Sequence, residues 1–265
     1  MIDQLKQSVR NKQAILFAGA GVSAVLGAPT WGELINQIGA ELGFEADVFR
    51  SLSTNYLTLA EYYKIERGSI GPLRSWMDKN WNFPDEKIKS SRVHELIVEL
   101  DFPIIYTTNY DSNIERAFEL QEKKVRKIVD VKDFLFVQSD ERQVIKLHGD
   151  FQNDDSIVLT ETHYFDRLSF ESPLDIRLRS DVLARPVLFI GYSLSDINVR
   201  ILLHKLWQTW NSSPHSAHQP NSYVFLPRPN EIEEKVLARW GVKTLIGEDP
   251  DPTKSLEDFL SRLAS

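Results

Sequence analysis

The stretch Ala14-Ile-Leu-Phe-Ala18-Gly19-Ala20-Gly21-Val22-Ser23-Ala24 decides the fold. Its first five residues are a short apolar run closed by glycine, which is how a strand buried on both faces reads. Directly after it, Gly19, Gly21 and Ala24 fit the G-x-G-x-x-G/A pattern. Small residues there allow a tight turn and let backbone N–H groups approach a pyrophosphate. The strand in front gives weight to what would otherwise be an ordinary turn. A dinucleotide-binding dehydrogenase carries a second strand ending in an acidic residue about 20 residues later. Here Ala40 to Glu45 reads as helix and turn, so the loop points to a dinucleotide while the domain departs from the dehydrogenase plan.

Three further runs share the strand character: Ile104-Ile-Tyr-Thr107, Val144-Ile-Lys-Leu147 and Val187-Leu-Phe-Ile190. Tyr223-Val-Phe-Leu226 and Val242-Lys-Thr-Leu-Ile246 extend the sheet. Ser195 to Trp210 and Asn230 to Trp240 carry helical spacing, the second with an asparagine cap and early glutamates that suit the helix dipole. Strands alternating with helices predict a doubly wound α/β fold, a Rossmann-like parallel sheet flanked by helices. The interval from about 32 to 100 holds no convincing strand and reads as a helical insert rich in aromatics. A smaller helical insert covers about 152 to 184. The whole of 1–265 reads as one domain, a length ample for a single large core.

Composition narrows the classes. The chain has 31 basic and 38 acidic residues, a net charge of −7. It therefore lacks the cationic excess that displaces phosphate counterions, and direct nucleic-acid binding is not expected. It has no cysteine, which removes disulfides, thiolate zinc sites and a thiol nucleophile. His215 and His218 sit in a polar loop with no carboxylate or third histidine beside them, so no metal is expected. No signal peptide or bilayer-length apolar run is read, and a cytoplasmic protein without membrane contact is the expectation.

Each core strand ends in a polar cluster: Thr107-Thr-Asn-Tyr-Asp111, His148-Gly-Asp150, and Gly191-Tyr-Ser-Leu-Ser-Asp196. Taken singly, each has a structural reading, as helix cap, buried histidine or helix start. In open α/β sheets, however, ligands bind at the carboxyl ends of the strands, and these clusters all fall there.

As a set, Gly19-Ala-Gly-Val-Ser23, Thr107-Thr-Asn-Tyr-Asp111, His148-Gly149 and Gly191-Tyr-Ser-Leu194 resemble the sirtuin superfamily, over about residues 14 to 200. Gly27-Ala-Pro-Thr-Trp-Gly-Glu-Leu34 looks like the loop of bacterial sirtuin-like effectors of anti-phage defence, which hydrolyse NAD. Deacetylating sirtuins have an aspartate-phenylalanine-arginine segment there and a paired-cysteine zinc ribbon, and this chain has neither. The resemblance implies NAD as substrate and cleavage of its nicotinamide–ribose bond. It implies Asn109 and His148 as catalytic residues, with Asn109 beside the anomeric carbon and His148 on a ribose hydroxyl as general base. An unperturbed imidazole near neutrality suits that task. The implied NAD-binding residues are Gly19, Ala20, Gly21, Val22 and Ser23 at the pyrophosphate, and Asp111 at the nicotinamide end. Ser193 falls at the adenosine ribose and Trp31 over the nicotinamide. Pro29, Thr107, Thr108, Gly191, Tyr192 and Asp196 complete the set. A free NAD hydrolase would be toxic, so control by homo-oligomerisation or a separate regulatory or sensor protein is expected. An NAD-dependent deacylase or ADP-ribosyltransferase, and a non-catalytic NAD or ADP-ribose sensor, remain open alternatives.

Overall fold

The computed structural model describes residues 2–167, 171–192 and 197–265. Seven strands form one parallel sheet: β1 (Ile15–Ala18), β2 (Ile104–Thr107), β3 (Val125–Ile128), β4 (Arg142–Lys146), β5 (Val187–Ile190), β6 (Ser222–Leu226) and β7 (Val242–Ile246). Their order is β3-β4-β2-β1-β5-β6-β7, so the four strands with polar ends are adjacent. β3 was not expected from the sequence. Its residues Val-Arg-Lys-Ile pair only with β4 at the sheet edge, and three of the four are half-buried.

The helices in chain order are α1 (Ile2–Arg10), α2 (Ala20–Ala24), α3 (Trp31–Glu41), α4 (Ala46–Ser51), α5 (Tyr56–Arg67), α6 (Gly71–Trp81), α7 (Asp85–Lys89) and α8 (Arg92–Leu100). They continue as α9 (Asn113–Leu120), α10 (Glu161–Asp166), α11 (Pro173–Ala184), α12 (Ile197–Asn211), α13 (Glu231–Arg239) and α14 (Pro252–Ala264). Side chains alternate across the strands. Leu16, Ile105 and Leu188 enter a core with α1, α8, α9 and α14, whereas Phe17, Tyr106 and Phe189 enter the opposite core with α11, α12 and α13. Burial on both faces is why these strands read as continuous apolar runs.

A third core belongs to the long insert. Leu34, Ile35, Phe49, Tyr63, Leu73 and Met77 pack together and reach the sheet through Tyr110 and Phe151. α3 starts at a capping box, where Thr30 Oγ1 accepts from the Glu33 amide and the Glu33 carboxylate accepts from the Thr30 amide. α5 starts on Asn55, whose side chain accepts from the Leu57 amide. These caps set helix starts at the rim of the strand ends.

Register fixes the level of the site. Ala18 pairs laterally with Thr107 and with Ile190, and Thr107 pairs with Lys146. Four chain segments therefore leave the sheet side by side at one edge. The chain builds outward from β1 in both directions, so that edge is also a topological switch point.

Candidate active site

The glycine loop is shaped by its neighbour across the sheet. The Gly19 amide donates to Ile190 O at 2.9 Å and the Gly21 amide to Gly191 O at 2.8 Å. A Cβ on Gly21 would stand 2.6 Å from Gly191 Cα, and one on Gly19 would stand 2.2 Å from the Tyr192 ring. Both glycines are thus required by contact with the end of β5. The Val22 amide donates to Gly19 O at 3.0 Å, and the Val22 side chain is wholly in the core. Ala20, the first residue of α2, is exposed at this edge.

Beyond β2 the chain is held by side-chain bonds. Thr107 Oγ1 donates to Ala18 O at 2.8 Å and accepts from the Asn109 amide at 3.0 Å. Asn109 Nδ2 donates to Gly19 O at 3.1 Å and to Ser23 Oγ at 3.0 Å. Ser23 Oγ in turn donates to Asp111 Oδ2 at 2.7 Å, and Asp111 Oδ1 accepts from the Asn113 amide at 3.1 Å. Both amide hydrogens of Asn109 are engaged, which turns its Oδ1 into the group's remaining polar atom. The helical insert grips the same loop. The Ser112 amide donates to Asn82 Oδ1 at 2.9 Å, and Asn113 Nδ2 donates to Trp81 O at 2.8 Å.

After β4, His148 is buried and meets the Tyr164 ring edge-on, with centroids 5.2 Å apart. Gly149 follows at φ +87°, and a Cβ there would stand 2.2 Å from Ser156 O, so the turn closes only on glycine. Burial, reinforced by the Arg167 charge, holds the His148 imidazole well below its ordinary pKa. That corrects the expectation of an unperturbed histidine: this imidazole stays neutral at physiological pH. Burial acts oppositely on Asp111 and pushes its carboxyl up, against Lys146, the Ser23 hydroxyl and the Asn113 amide.

These segments surround a cavity of about 720 Å³. Of the residues expected from sequence, Ala20, Gly21, Ser23, Pro29, Trp31 and Thr108 line it. So do Asn109, Asp111, His148, Gly191 and Tyr192. Thr107, Gly19 and Val22 do not; they tie or fill the structure behind the wall. Ser193 and Asp196 lie outside the described residues. The sequence reading missed the far wall: Thr54 to Leu57 before and within α5, Trp81, Tyr110 and Tyr164. Tyr110 and Tyr164 had a signal, being aromatic neighbours of strand-end clusters. Thr54 to Leu57 had none. Among the described residues, no group of three or more metal-ligating side chains converges, and no helix is long and apolar enough to cross a membrane.

Residues 103–245 match the SIR2-like domain family. The chain is 26% identical to NAD(+) hydrolase ThsA of Acinetobacter baumannii (strain 532279), covering 99% of this chain and 56% of that protein. It is 30% identical to NAD(+) hydrolase ThsA of Enterococcus faecium, covering 81% and 45%. It is 26% identical to Defense-associated sirtuin 2 of Bacillus subtilis, covering 92% and 24%. The chain thus spans about half the length of the NAD(+) hydrolase relatives, at 56% and 45%, and a smaller part of the third, at 24%.

Proposed function

The chain belongs to the SIR2-like domain family, and from that premise we propose that it is an NAD+ glycohydrolase that depletes NAD in anti-phage defence. The bond cleaved joins nicotinamide to ribose, and the products are nicotinamide and ADP-ribose. One observation carries the reading: the glycine loop, Asn109, His148 and Gly191 leave adjacent parallel strands and meet on a single cavity. Relatives named NAD(+) hydrolase support the choice of substrate and reaction.

The chemistry suits these groups. Nicotinamide is attached as a pyridinium cation. The electron pair of the breaking bond passes to its ring nitrogen, and the ring leaves neutral without a proton. What the site must supply is support for a cationic, oxocarbenium-like ribose and a path for water. Asn109, held by two donated hydrogen bonds, offers Oδ1 to the anomeric carbon or to the attacking water. His148, kept neutral, accepts a proton from a ribose hydroxyl or from that water. Asp111 lies at the nicotinamide end, and Trp31 covers it. The Ala20 amide and the adjacent loop face the pyrophosphate. Homo-oligomerisation or a separate regulatory protein keeps the activity in check.

The test is nicotinamide release from NAD by an activated preparation, with and without an acetyl-lysine peptide. Release without peptide, with ADP-ribose in equal amount, is expected. His148→Ala should abolish it in a folded protein. Asn109→Ala should lower kcat more than NAD affinity, because its contribution is made in the transition state. A strict requirement for peptide, with the acetyl group recovered on ADP-ribose, would replace the hydrolase by a deacylase.

A further inference from the structure

Lys146 has no solvent exposure at all, yet it carries an ammonium. Its Nζ donates to Tyr110 O at 2.9 Å and to Asp111 O, both in the loop after β2. It pairs with Asp150 Oδ2 at 2.9 Å, in the turn after β4, and with Glu115 Oε1 at 3.4 Å on α9. Three segments therefore meet on one buried nitrogen. Asn109 immediately precedes the first carbonyl it holds, and His148 stands two residues beyond Lys146, in the turn that follows β4.

The ladder between β2 and β4 cannot do this alone. Their lateral pairing runs to Thr107 and Lys146, and the Leu147 amide then donates to Thr107 O at 2.8 Å. Past that point the segments carrying Asn109 and His148 have left the sheet. A buried charge is costly unless paired and hydrogen-bonded. An apolar side chain of similar length could fill the same space without that cost, but it could not hold two carbonyls. Burial works against the ammonium, and Glu115, Asp150 and Asp111 more than offset it, keeping Lys146 charged.

We propose that Lys146 is a positioning residue for NAD cleavage: by fastening the carbonyls of Tyr110 and Asp111 to the turn after β4, it sets the spacing between Asn109 and His148. The claim rests on the hydrolase reading for its functional half. Its geometric half stands on the contacts alone.

Lys127 supplies the contrast. Its Nζ also pairs with Asp150, at 3.1 Å, but its other hydrogen bond goes to Gln152 and not to the loop after β2. Lys146→Met, Lys127→Met and the charge-balanced Lys146→Met/Asp150→Asn are compared for thermal unfolding, nicotinamide release and the NMR resonance of the Asn109 side-chain amide. For folded Lys146→Met, or for the double variant if the single one does not fold, kcat should fall about a hundredfold with KM little changed, the scale expected for misplacement near 1 Å. The Asn109 amide resonance should move, and Lys127→Met should keep turnover and resonance. The proposal is overturned by a folded Lys146 variant with wild-type kcat and an unmoved Asn109 amide. It is equally overturned by an equal loss in Lys127→Met, or by loss of fold in both Lys146 variants, which would assign the residue to stability. If the wild type releases no nicotinamide under any activating condition, the hydrolase reading fails, and the Asn109 resonance alone decides the positioning claim.

Discussion

Replacing Ser23 by alanine separates two roles for one hydroxyl. From sequence, Ser23 was expected to touch the dinucleotide. In the structure its Oγ is buried, donates to Asp111 Oδ2 at 2.7 Å and accepts from Asn109 Nδ2 at 3.0 Å. A hydrogen bond to a charged group contributes about 1.5–3 kcal/mol and a neutral one about 1 kcal/mol. Ser23→Ala should therefore cost roughly 3 kcal/mol, and melting should fall by roughly 6–12 °C for a chain of this size. Asn109 would keep only Gly19 O, at 3.1 Å, as an acceptor, so its amide can tilt. A tilt that moves Oδ1 by a good fraction of an ångström should lower kcat by about 10- to 100-fold while KM changes little. The assay is thermal unfolding beside steady-state nicotinamide release from a preparation in which the wild type is active. A raised KM with intact kcat would restore the ligand-contact role and refute the network. Unchanged melting and turnover together would refute both.

Two other outcomes follow from packing and titration. Gly21→Ala places a Cβ 2.6 Å from Gly191 Cα, a backbone atom that cannot swing away, so unfolding should show a loss of about 1–3 kcal/mol, with turnover lost too. His94, buried in α8 with Ser91 Oγ on its Nδ1, is held by burial at a pKa of about 4. Its folded value lies below its unfolded one, so its stabilisation is complete above about pH 6.5 and is lost as pH falls toward 4. Denaturant unfolding at pH 7 and pH 5 should give a loss about 2 kcal/mol larger for the wild type than for His94→Leu; equal losses would remove His94 as the cause.

The central strands were legible because both their faces are buried. Leu16 and Phe17 point into different cores, so apolar side chains follow one another along the strand without a solvent-facing position between them. The same physics hid β3. An edge strand flanked by one neighbour leaves Arg126 and Lys127 half-buried, and they pair with Glu141 and the buried Asp150. Its two adjacent charges between Val125 and Ile128 look like the loop around it. Strand order was legible only through function. Nothing in the runs themselves says that β4 lies between β3 and β2. Convergence of their polar ends was the sole hint, and it holds because parallel strands in register finish at one level.

The site divides along the same line. Residues that follow strand ends are placed by the sheet, so the sequence alone puts Asn109, Asp111, His148 and Gly191 at one edge. Thr54 to Leu57 reach that cavity because the long insert folds its own core and presents the start of α5 to the sheet, a tertiary fact with no local pattern. Environment was hidden more deeply than position. A histidine at its ordinary pKa and an ionised aspartate are what the residue types promise. Burial instead drives His148 toward its uncharged form and makes the Asp111 carboxylate costlier than in water, against the pull of Lys146, the Ser23 hydroxyl and the Asn113 amide. For a reaction whose leaving group departs without a proton, the demand falls on accepting one from water or a ribose hydroxyl. An imidazole that stays neutral throughout the physiological range is always in the state that can accept it, at the cost of weaker basicity. The desolvation that makes His148 look like an ordinary core residue also keeps it in the neutral form that its proposed work requires.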